Sequence, residues 1–376
     1  MTKIIEHQNN FCNFAVFKSS LRLEILNFIM RTEEITTENN TPNQSPIDEK
    51  GKYSVLLYYI YSPIDNVVEY RDVHHQYCID NNLLGRIIVA PEGLNGTVSG
   101  LVEDCDKYMA WVKSDPRFAK VDFKVENHPT HAFTKLYVRI KKEIVHSELP
   151  VNPLERTGKH LEPSEFKEII KNDPNVVLVD MRSNYEHSVG KFKGAITFDM
   201  ENLRELPDHM QEIEHLKDKK VITYCTGGIK CEKASAYLLS QGFTDVYQLH
   251  GGIIKYGLEE GGEDFDGKCY VFDNRLTTEV NKINPEVISK CHVCGTISDR
   301  MVNCANPDCN EHVPICEKCG HELEGACSVV CKENPRKRFY DGTGYYAKTT
   351  EGYKPEIAFR TRKNTKTLHI VEDLGL

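Results

Sequence analysis

The hydrophobic pattern divides the chain into folded segments separated by polar ones. Residues 31–50 show no hydrophobic period and are polar throughout, which is typical of a linker. Together with a short apolar stretch before them, they form an N-terminal extension and linker, residues 1–50. A second linker is expected at 148–160, which contains Pro150, Pro153 and Gly158.

Between these linkers, residues 51–147 alternate between strand and helix patterns. YSVLLYYIYSPI predicts a strand, DVHHQYCIDNNLL a helix, and GRIIVAPEGLNGTVSG two strands with a turn at 91–96. VEDCDKYMAWVKSDPRF then predicts a helix, and THAFTKLYVRIKKEIV predicts the final strand. The order β-α-β-β-α-β predicts a ferredoxin-like or acylphosphatase-like α+β domain. Its cations predict either a basic binding face or a solvated edge; they are Arg86, Lys135, Arg139, Lys141 and Lys142.

Residues 158–262 combine apolar strands with helical stretches, which predicts an α/β domain with a parallel sheet covered on both faces. A helix is expected to begin at Pro163. A strand at Val221–Tyr224 ends at Cys225, and a helix is expected to open near Cys231.

The loop between that strand and helix can favour a thiolate. Gly227 and Gly228 permit positive φ, so backbone N–H groups can turn inward as an anion-binding nest. The helix N-terminus adds a partial positive charge. We therefore interpret Cys225 as an activated nucleophile. The predicted anion-binding loop around it comprises Thr226, Gly227, Gly228, Ile229, Lys230 and Cys231.

Four residues can belong either to the site around Cys225 or to the scaffold that supports it. Cys231 could resolve an oxidised sulfur on Cys225, or it could pack the helix onto the sheet. Asp180 is expected to be a structural cap, whereas Arg182 is a candidate for contact with a substrate anion. His187 is expected to be a surface or packing residue rather than a general base.

Three motifs in this segment together resemble a rhodanese domain. They are VVLVDMRSNYEHSVGKFKGA, the CTGGIKC loop and GFTDVYQLHGGI. The C-x4-K frame from Cys225 to Lys230 is similar to the C-x4-R frame of sulfurtransferase-type rhodaneses, and rhodanese-like phosphatases have one residue more. Lys230 keeps the positive charge but lacks the planar fork of arginine.

Residues 263–335 form a cysteine-rich region with eight thiols in C-x2-C and looser pairs. Interleaved pairing predicts two four-thiolate sites, one from Cys291, Cys294, Cys316 and Cys319, the other from Cys304, Cys309, Cys327 and Cys331. Structural Zn²⁺ is the expected occupant. An iron–sulfur cluster, free thiols, disulfides, or a histidine replacing one cysteine (His292, His312 or His321) are the alternatives.

Composition indicates the number of domains and the cellular compartment to expect. At 376 residues two or three domains are expected, and a net charge of −9 does not itself indicate a nucleic-acid binder. No secretory signal or membrane-length apolar run is seen, and clustered cysteines suit a reducing cytoplasm. The tail, residues 336–376, mixes basic and aromatic side chains, which suits single-stranded RNA or a flexible tail.

The domain order, PEGLNGT, CTGGIKCEKAS and FDGKCYVFDNR together resemble the bacterial oxygen-dependent tRNA uridine hydroxylases of the rhodanese-domain family, over about residues 52–335. That resemblance implies hydroxylation of wobble uridine 34 to 5-hydroxyuridine, with O₂ as co-substrate, tRNA (its anticodon loop) as partner and Cys225 as the active cysteine. No flavin or nucleotide motif is seen. The alternatives are a sulfurtransferase carrying a persulfide on Cys225, and a non-catalytic binding module.

Overall fold

A computed structural model describes residues 51–346 of the chain. The N-terminal extension and most of the basic aromatic tail lie outside the described residues. The described part contains three segments in chain order: an α+β segment, an α/β segment and a cysteine-rich segment.

The first segment is a five-stranded sheet with the spatial order β4-β1-β3-β2-β5. Its elements are β1 (Tyr53–Tyr61), α1 (Val67–Asp80), β2 (Leu84–Ala90), β3 (Gly93–Leu101), α2 (Val102–Ser114), β4 (Asp122–His128) and β5 (Leu136–Ile140). All six elements of the predicted β-α-β-β-α-β pattern are present, but one additional strand, β4, was not predicted. β4 precedes the predicted strand, whose central residues form a fifth strand that pairs parallel to β2.

The two faces of this sheet have different roles because side chains alternate along each strand. Leu56 and Tyr58 of β1 point to one face, where they join a core with residues of α1 and α2. Leu57 and Tyr59 point to the opposite face, which the second segment covers. The sheet therefore carries its own helices on one side and the second segment on the other.

The second segment has a parallel sheet, as the sequence predicts, and its strand order is β6-β11-β10-β7-β9. Its strands are β6 (Lys159–Leu161), β7 (Val177–Asp180), β8 (Gly190–Phe192), β9 (Ile196–Thr197), β10 (Lys220–Tyr224) and β11 (Asp245–Leu249). Its helices are α3 (Pro163–Asn172), α4 (Asn184–His187), α5 (Met210–Ile213), α6 (Ile229–Ser240) and α7 (Gly252–Glu260). Two separate apolar clusters pack on this sheet.

The cysteine-rich segment has only short elements. They are β12 (Phe265–Gly267), β13 (Cys269–Tyr270), β14 (Thr277–Thr278), β15 (Met301–Asn303), β16 (His312–Pro314), α8 (Glu317–Glu322) and α9 (Val329–Lys332). Strand β12 pairs with β8, which joins this segment to the preceding one. Within residues 51–346, no helix combines the length and apolarity that crossing a membrane would need.

Candidate active site

Cys225 follows β10 directly, and α6 begins at Ile229, two residues earlier than expected. Gly228 has the left-handed conformation (φ +99°), and its N–H donates a hydrogen bond to the Cys225 Sγ at 3.2 Å. Gly227, which could also adopt positive φ, does not do so. Gly227 is instead required by close packing, since a Cβ there would lie 2.9 Å from a methyl of Leu57.

The start of α7, at Gly252, contacts the backbone of Cys225. The N–H of Ile253, in the first turn of α7, donates to the carbonyl of Cys225 at 3.0 Å. Gly252 lies so close that a Cβ would be 2.5 Å from that carbonyl oxygen. The start of α7 therefore fixes the backbone that carries the cysteine.

The electrostatics of the loop stabilise a thiolate at Cys225. Burial alone would raise its pKa, but a hydrogen bond with Cys231, the Lys230 charge and the amides of Lys230 and Cys231 lower the pKa to about 7. Burial, followed by the interaction with Cys225, raises the pKa of Cys231 well above its ordinary value. Cys231 thus remains protonated and can donate to the sulfur of Cys225, which favours the thiolate form of Cys225 near neutral pH.

Lys230 is held beside the loop by Glu186, a residue the sequence did not single out. The fully buried Glu186 carboxylate accepts hydrogen bonds from Lys230 and from the backbone N–H of Ser183 (3.0 Å). The Thr226 hydroxyl lies 3.4 Å from the same carboxylate. An ammonium with three donors is sufficient for this single carboxylate, so lysine serves here without the fork of arginine.

The thiol lies at the floor of a cavity of about 320 Å³. Cys225 is only 2% exposed, because the first segment forms the opposite wall. That wall consists of alternate residues on three neighbouring strands, namely Leu57, Tyr59, Arg86, Ile88, Asn95 and Thr97. Ile229, Lys230 and Phe272 also line the cavity, together with Thr226, Gly227, Glu186 and residues 144–146. The space is mainly apolar with a few polar groups, as is typical of sites for small molecules.

Arg182 does not contribute to this cavity, so the expectation that it contacts a substrate anion is wrong. Its side chain is fully buried, and Nη2 forms an ion pair with Asp180 at 2.6 Å. Nη2 also donates to the carbonyl of Gly190 at 2.7 Å. The arginine follows a strand end, as predicted, but its charge is used to join β7 to β8.

The other neighbours behave largely as structural residues. Asp180 accepts the N–H of Arg182 at 3.0 Å in addition to the ion pair. His187 is half-buried, and its ring nitrogen lies 3.2 Å from the carbonyl of Phe198. Cys231 is fully buried in the core and also faces Cys225, so it combines packing with support of the thiolate.

Polar contacts fix the first segment on α6, the helix that follows the Cys225 loop. The Tyr59 hydroxyl donates to Glu232 at 3.0 Å. Lys233 is 2% exposed and forms ion pairs with Glu92 (2.9 Å) and Glu143 (2.5 Å). Glu92 belongs to the PEGLNGT motif, so this motif anchors the interface that closes the cavity.

The eight cysteines of the third segment converge into the two interleaved groups that the spacing predicts. The Sγ atoms of Cys294 and Cys316 are 3.6 Å apart, and those of Cys309 and Cys327 are 3.7 Å apart. Tetrahedral Zn²⁺ with bonds of about 2.3 Å requires sulfur separations of roughly 3.8 Å. A disulfide would need about 2.05 Å. Both groups therefore fit a four-thiolate metal site, and no histidine is needed as a ligand.

Comparison with known proteins covers most of the described residues. Family models match as a UPF0176 acylphosphatase like domain at 53–144, a rhodanese-like domain at 162–259 and a rhodanase C-terminal region at 266–332. A Cytophaga hutchinsonii protein named tRNA uridine(34) hydroxylase is 64% identical over 81% of this chain and 98% of its own. Proteins of the same name are 47% identical in Bacillus mycoides (76% and 91% covered) and 46% identical in Enterococcus faecalis (77% and 92%).

Proposed function

This chain belongs to the family of the tRNA uridine(34) hydroxylases, and we propose that it hydroxylates C5 of the wobble uridine of tRNA through Cys225. The observation that carries this proposal is a sulfur with a lowered pKa on the floor of a mainly apolar cavity. Uracil is neutral and planar, so it suits such a space better than a small polyanion does. The anticodon loop is unpaired, which lowers the cost of inserting one base.

Cys225 performs the first step in this proposal. Its thiolate attacks C6 of uracil, forming an S–C6 bond while the electron pair of the C5=C6 bond moves toward C5 and O4. Lys230 lines the cavity and can stabilise the negative charge that develops on O4. C5 thereby becomes electron-rich, and loss of the C5 proton with cleavage of the S–C6 bond regenerates the thiolate after oxygen has been added.

We further propose that molecular oxygen supplies the oxygen atom. In one route, O₂ adds to the carbanionic C5 as a hydroperoxide, and cellular thiol then supplies the two electrons that cleave the O–O bond, which leaves one oxygen on C5 and releases the other as water. In the other route, Cys225 does not add to C6: O₂, with two electrons from the same class of thiol, first oxidises its sulfur to a sulfenic acid and releases water, and the sulfenic acid then transfers its oxygen to C5 and returns to the thiol. Intact mass after exposure of the RNA-free protein to O₂ distinguishes them, because only the second route adds oxygen to the protein before tRNA arrives. Because the substrate is tRNA, we place this oxidoreductase in the cytoplasm.

The two four-cysteine groups are proposed to hold one structural Zn²⁺ each. Sites closed by four thiolates leave no open position for substrate, so the metal stabilises the fold of the third segment and takes no part in chemistry. Within the described residues, the cysteine-rich segment has only short elements, which makes such a contribution to folding expected.

The test is nucleoside mass spectrometry of tRNA from cells lacking the gene. Complementation with the wild-type chain should restore 5-hydroxyuridine-derived wobble nucleosides, and growth under ¹⁸O₂ should place the heavy atom on C5. Complementation with Cys225→Ala should restore none. Unchanged wobble nucleosides in the deletion strain would contradict the function, whereas unlabelled product would contradict only the role of O₂.

A further inference from the structure

A second groove adjoins the active-site cavity and shares two of its lining residues, Arg86 and Phe272. Its volume is about 460 Å³, larger than that of the cavity itself. One side is formed by β5 and the loop before it, and the other by the cysteine-rich segment. The shared residues make the groove a direct continuation of the space above Cys225.

The register of the first sheet explains this continuity. Thr97 of β3 pairs with Leu57 on one side and Arg86 on the other, and Arg86 pairs with Tyr137 of β5. Residues in such a row point to the same face of the sheet. The row therefore starts in the cavity at Leu57 and Thr97, passes Arg86 at the junction, and ends in the groove at Tyr137.

Aromatic side chains line the groove from the junction outward. Phe272 stands at the junction and is 42% exposed, which is unusual for a large apolar ring. Its ring lies 5.4 Å from that of Tyr270, which lies 5.1 Å from Tyr185, which in turn lies 5.4 Å from His312. These separations bring four rings together along one wall, with Tyr137 on the opposite wall.

Positive charge accompanies these rings. Arg86 and Lys135 line the groove and are exposed. Among the described residues, Asp273 is the single acidic group in the lining, and Arg275 neutralises it through an ion pair at 2.7 Å. The local balance is thus cationic although the whole chain carries −9. Exposed rings beside cations are the features that bind single-stranded nucleic acid.

Resting on the proposed function, we infer that this groove binds the unpaired nucleotides next to uridine 34. Their bases stack on Phe272 and Tyr137, and Arg86 and Lys135 contact their phosphates. The cavity then accepts the reacting base alone, and the groove orients the loop that delivers it. The cysteine-rich segment contributes the far wall through residues that include Phe272, Asn303 and His312.

The inference is tested by binding of a fluorescent anticodon stem-loop RNA, measured by anisotropy. Phe272→Leu and Tyr137→Leu keep apolar volume but remove a stacking face, so each should weaken binding by about five-fold or more. Phe272→Tyr retains an aromatic ring and should bind the RNA with the affinity of the wild type. Lys135→Ala should reduce the dependence of log affinity on log salt by about 0.7, the value for one single-strand phosphate contact.

A matched control and a second RNA keep the test decisive. Lys107→Ala removes an exposed lysine on α2, outside the groove, and should leave binding unchanged. A duplex of the same stem without the loop should bind equally to the wild type and all variants. Equal affinity of every variant for the stem-loop, or equal weakening for the duplex, would overturn the inference.

The kinetic readout separates this inference from the proposed function. With tRNA as substrate, Tyr137→Leu should raise KM for hydroxylation with little change in kcat, since it acts on binding of the loop. If the wild type binds the stem-loop through the groove but forms no 5-hydroxyuridine, the proposed function fails and the groove stands. If hydroxylation proceeds with groove variants indistinguishable from the wild type, the groove fails and the function stands.

Discussion

Replacing Lys230 by methionine should raise the pKa of Cys225 and slow its reaction with electrophiles. The Lys230 charge is one of the groups that lower this pKa to about 7, together with the Cys231 hydrogen bond and the loop amides. The substitution also leaves the fully buried Glu186 carboxylate without its cation. The loss of the Lys230 charge and the unpaired Glu186 carboxylate both disfavour a negative charge on the Cys225 sulfur.

The size of the effect follows from the contribution of one charge. An opposite charge nearby shifts a pKa by about 1–3 units, and the lower end applies here because Glu186 partly neutralises Lys230. A rise of about one unit costs roughly 1.4 kcal/mol and lowers the thiolate fraction at pH 7 from about a half to about a tenth. Lys230→Arg retains the charge and should keep the pKa near that of the wild type.

The assay is alkylation by iodoacetamide as a function of pH, with modification of the Cys225 peptide followed by mass spectrometry. Because the thiolate is the reactive form, the rate should rise with pH through about 7 in the wild type and Lys230→Arg, and about one unit higher in Lys230→Met. A double variant that adds Glu186→Gln should recover part of the shift. An unchanged profile in Lys230→Met would show that the amides and Cys231 suffice.

The remaining predictions concern packing, the interface and the metal sites. Gly227→Ala should collide with Leu57 and lose activity, and adding Leu57→Ala should restore part of it in a tRNA hydroxylation assay; no recovery would exclude this contact as the cause. Lys233→Met should lower the free energy of unfolding in urea by about 2 kcal/mol, less than the roughly 3–5 kcal/mol of a fully buried pair because both partner carboxylates are partly exposed. Cys294→Ser and Cys309→Ser should each reduce zinc, measured by elemental analysis, from about two ions per chain to about one; two retained ions in either variant would contradict the assigned groups.

Much of the fold could be predicted from local patterns in the sequence. Strand alternation and helix periodicity identified the β-α-β-β-α-β segment and the parallel sheet, and the Cys spacing identified both thiolate groups. β4 was missed for two reasons. The prediction assigned the final strand to the apolar run after Pro129, and residues 122–128 contain only two apolar positions, Phe123 and Val125. Pairing between strands far apart in sequence decided this, and no local pattern contains it.

Of the candidate site, the sequence predicted only the loop that contains Cys225 and not the opposite wall of the cavity. Arg182 was misassigned because a cation after a strand end can face either a ligand or a buried carboxylate, and the partner Asp180 is revealed only by the fold. Glu186 was overlooked because its role depends on α4 packing against the loop. The residues of the first segment that close the cavity carried one usable signal, the alternation of β1, which leaves Leu57 and Tyr59 on the face without helices.

The most direct measurement is formation of 5-hydroxyuridine at position 34 by purified wild-type and Cys225→Ser protein acting on the same unmodified tRNA. Serine keeps the shape of the side chain but has no thiolate at neutral pH, so stem-loop binding serves as the check that the variant is folded. The account predicts product from the wild type and none from Cys225→Ser with binding retained. Equal product from both proteins would contradict the role of the sulfur in the reaction.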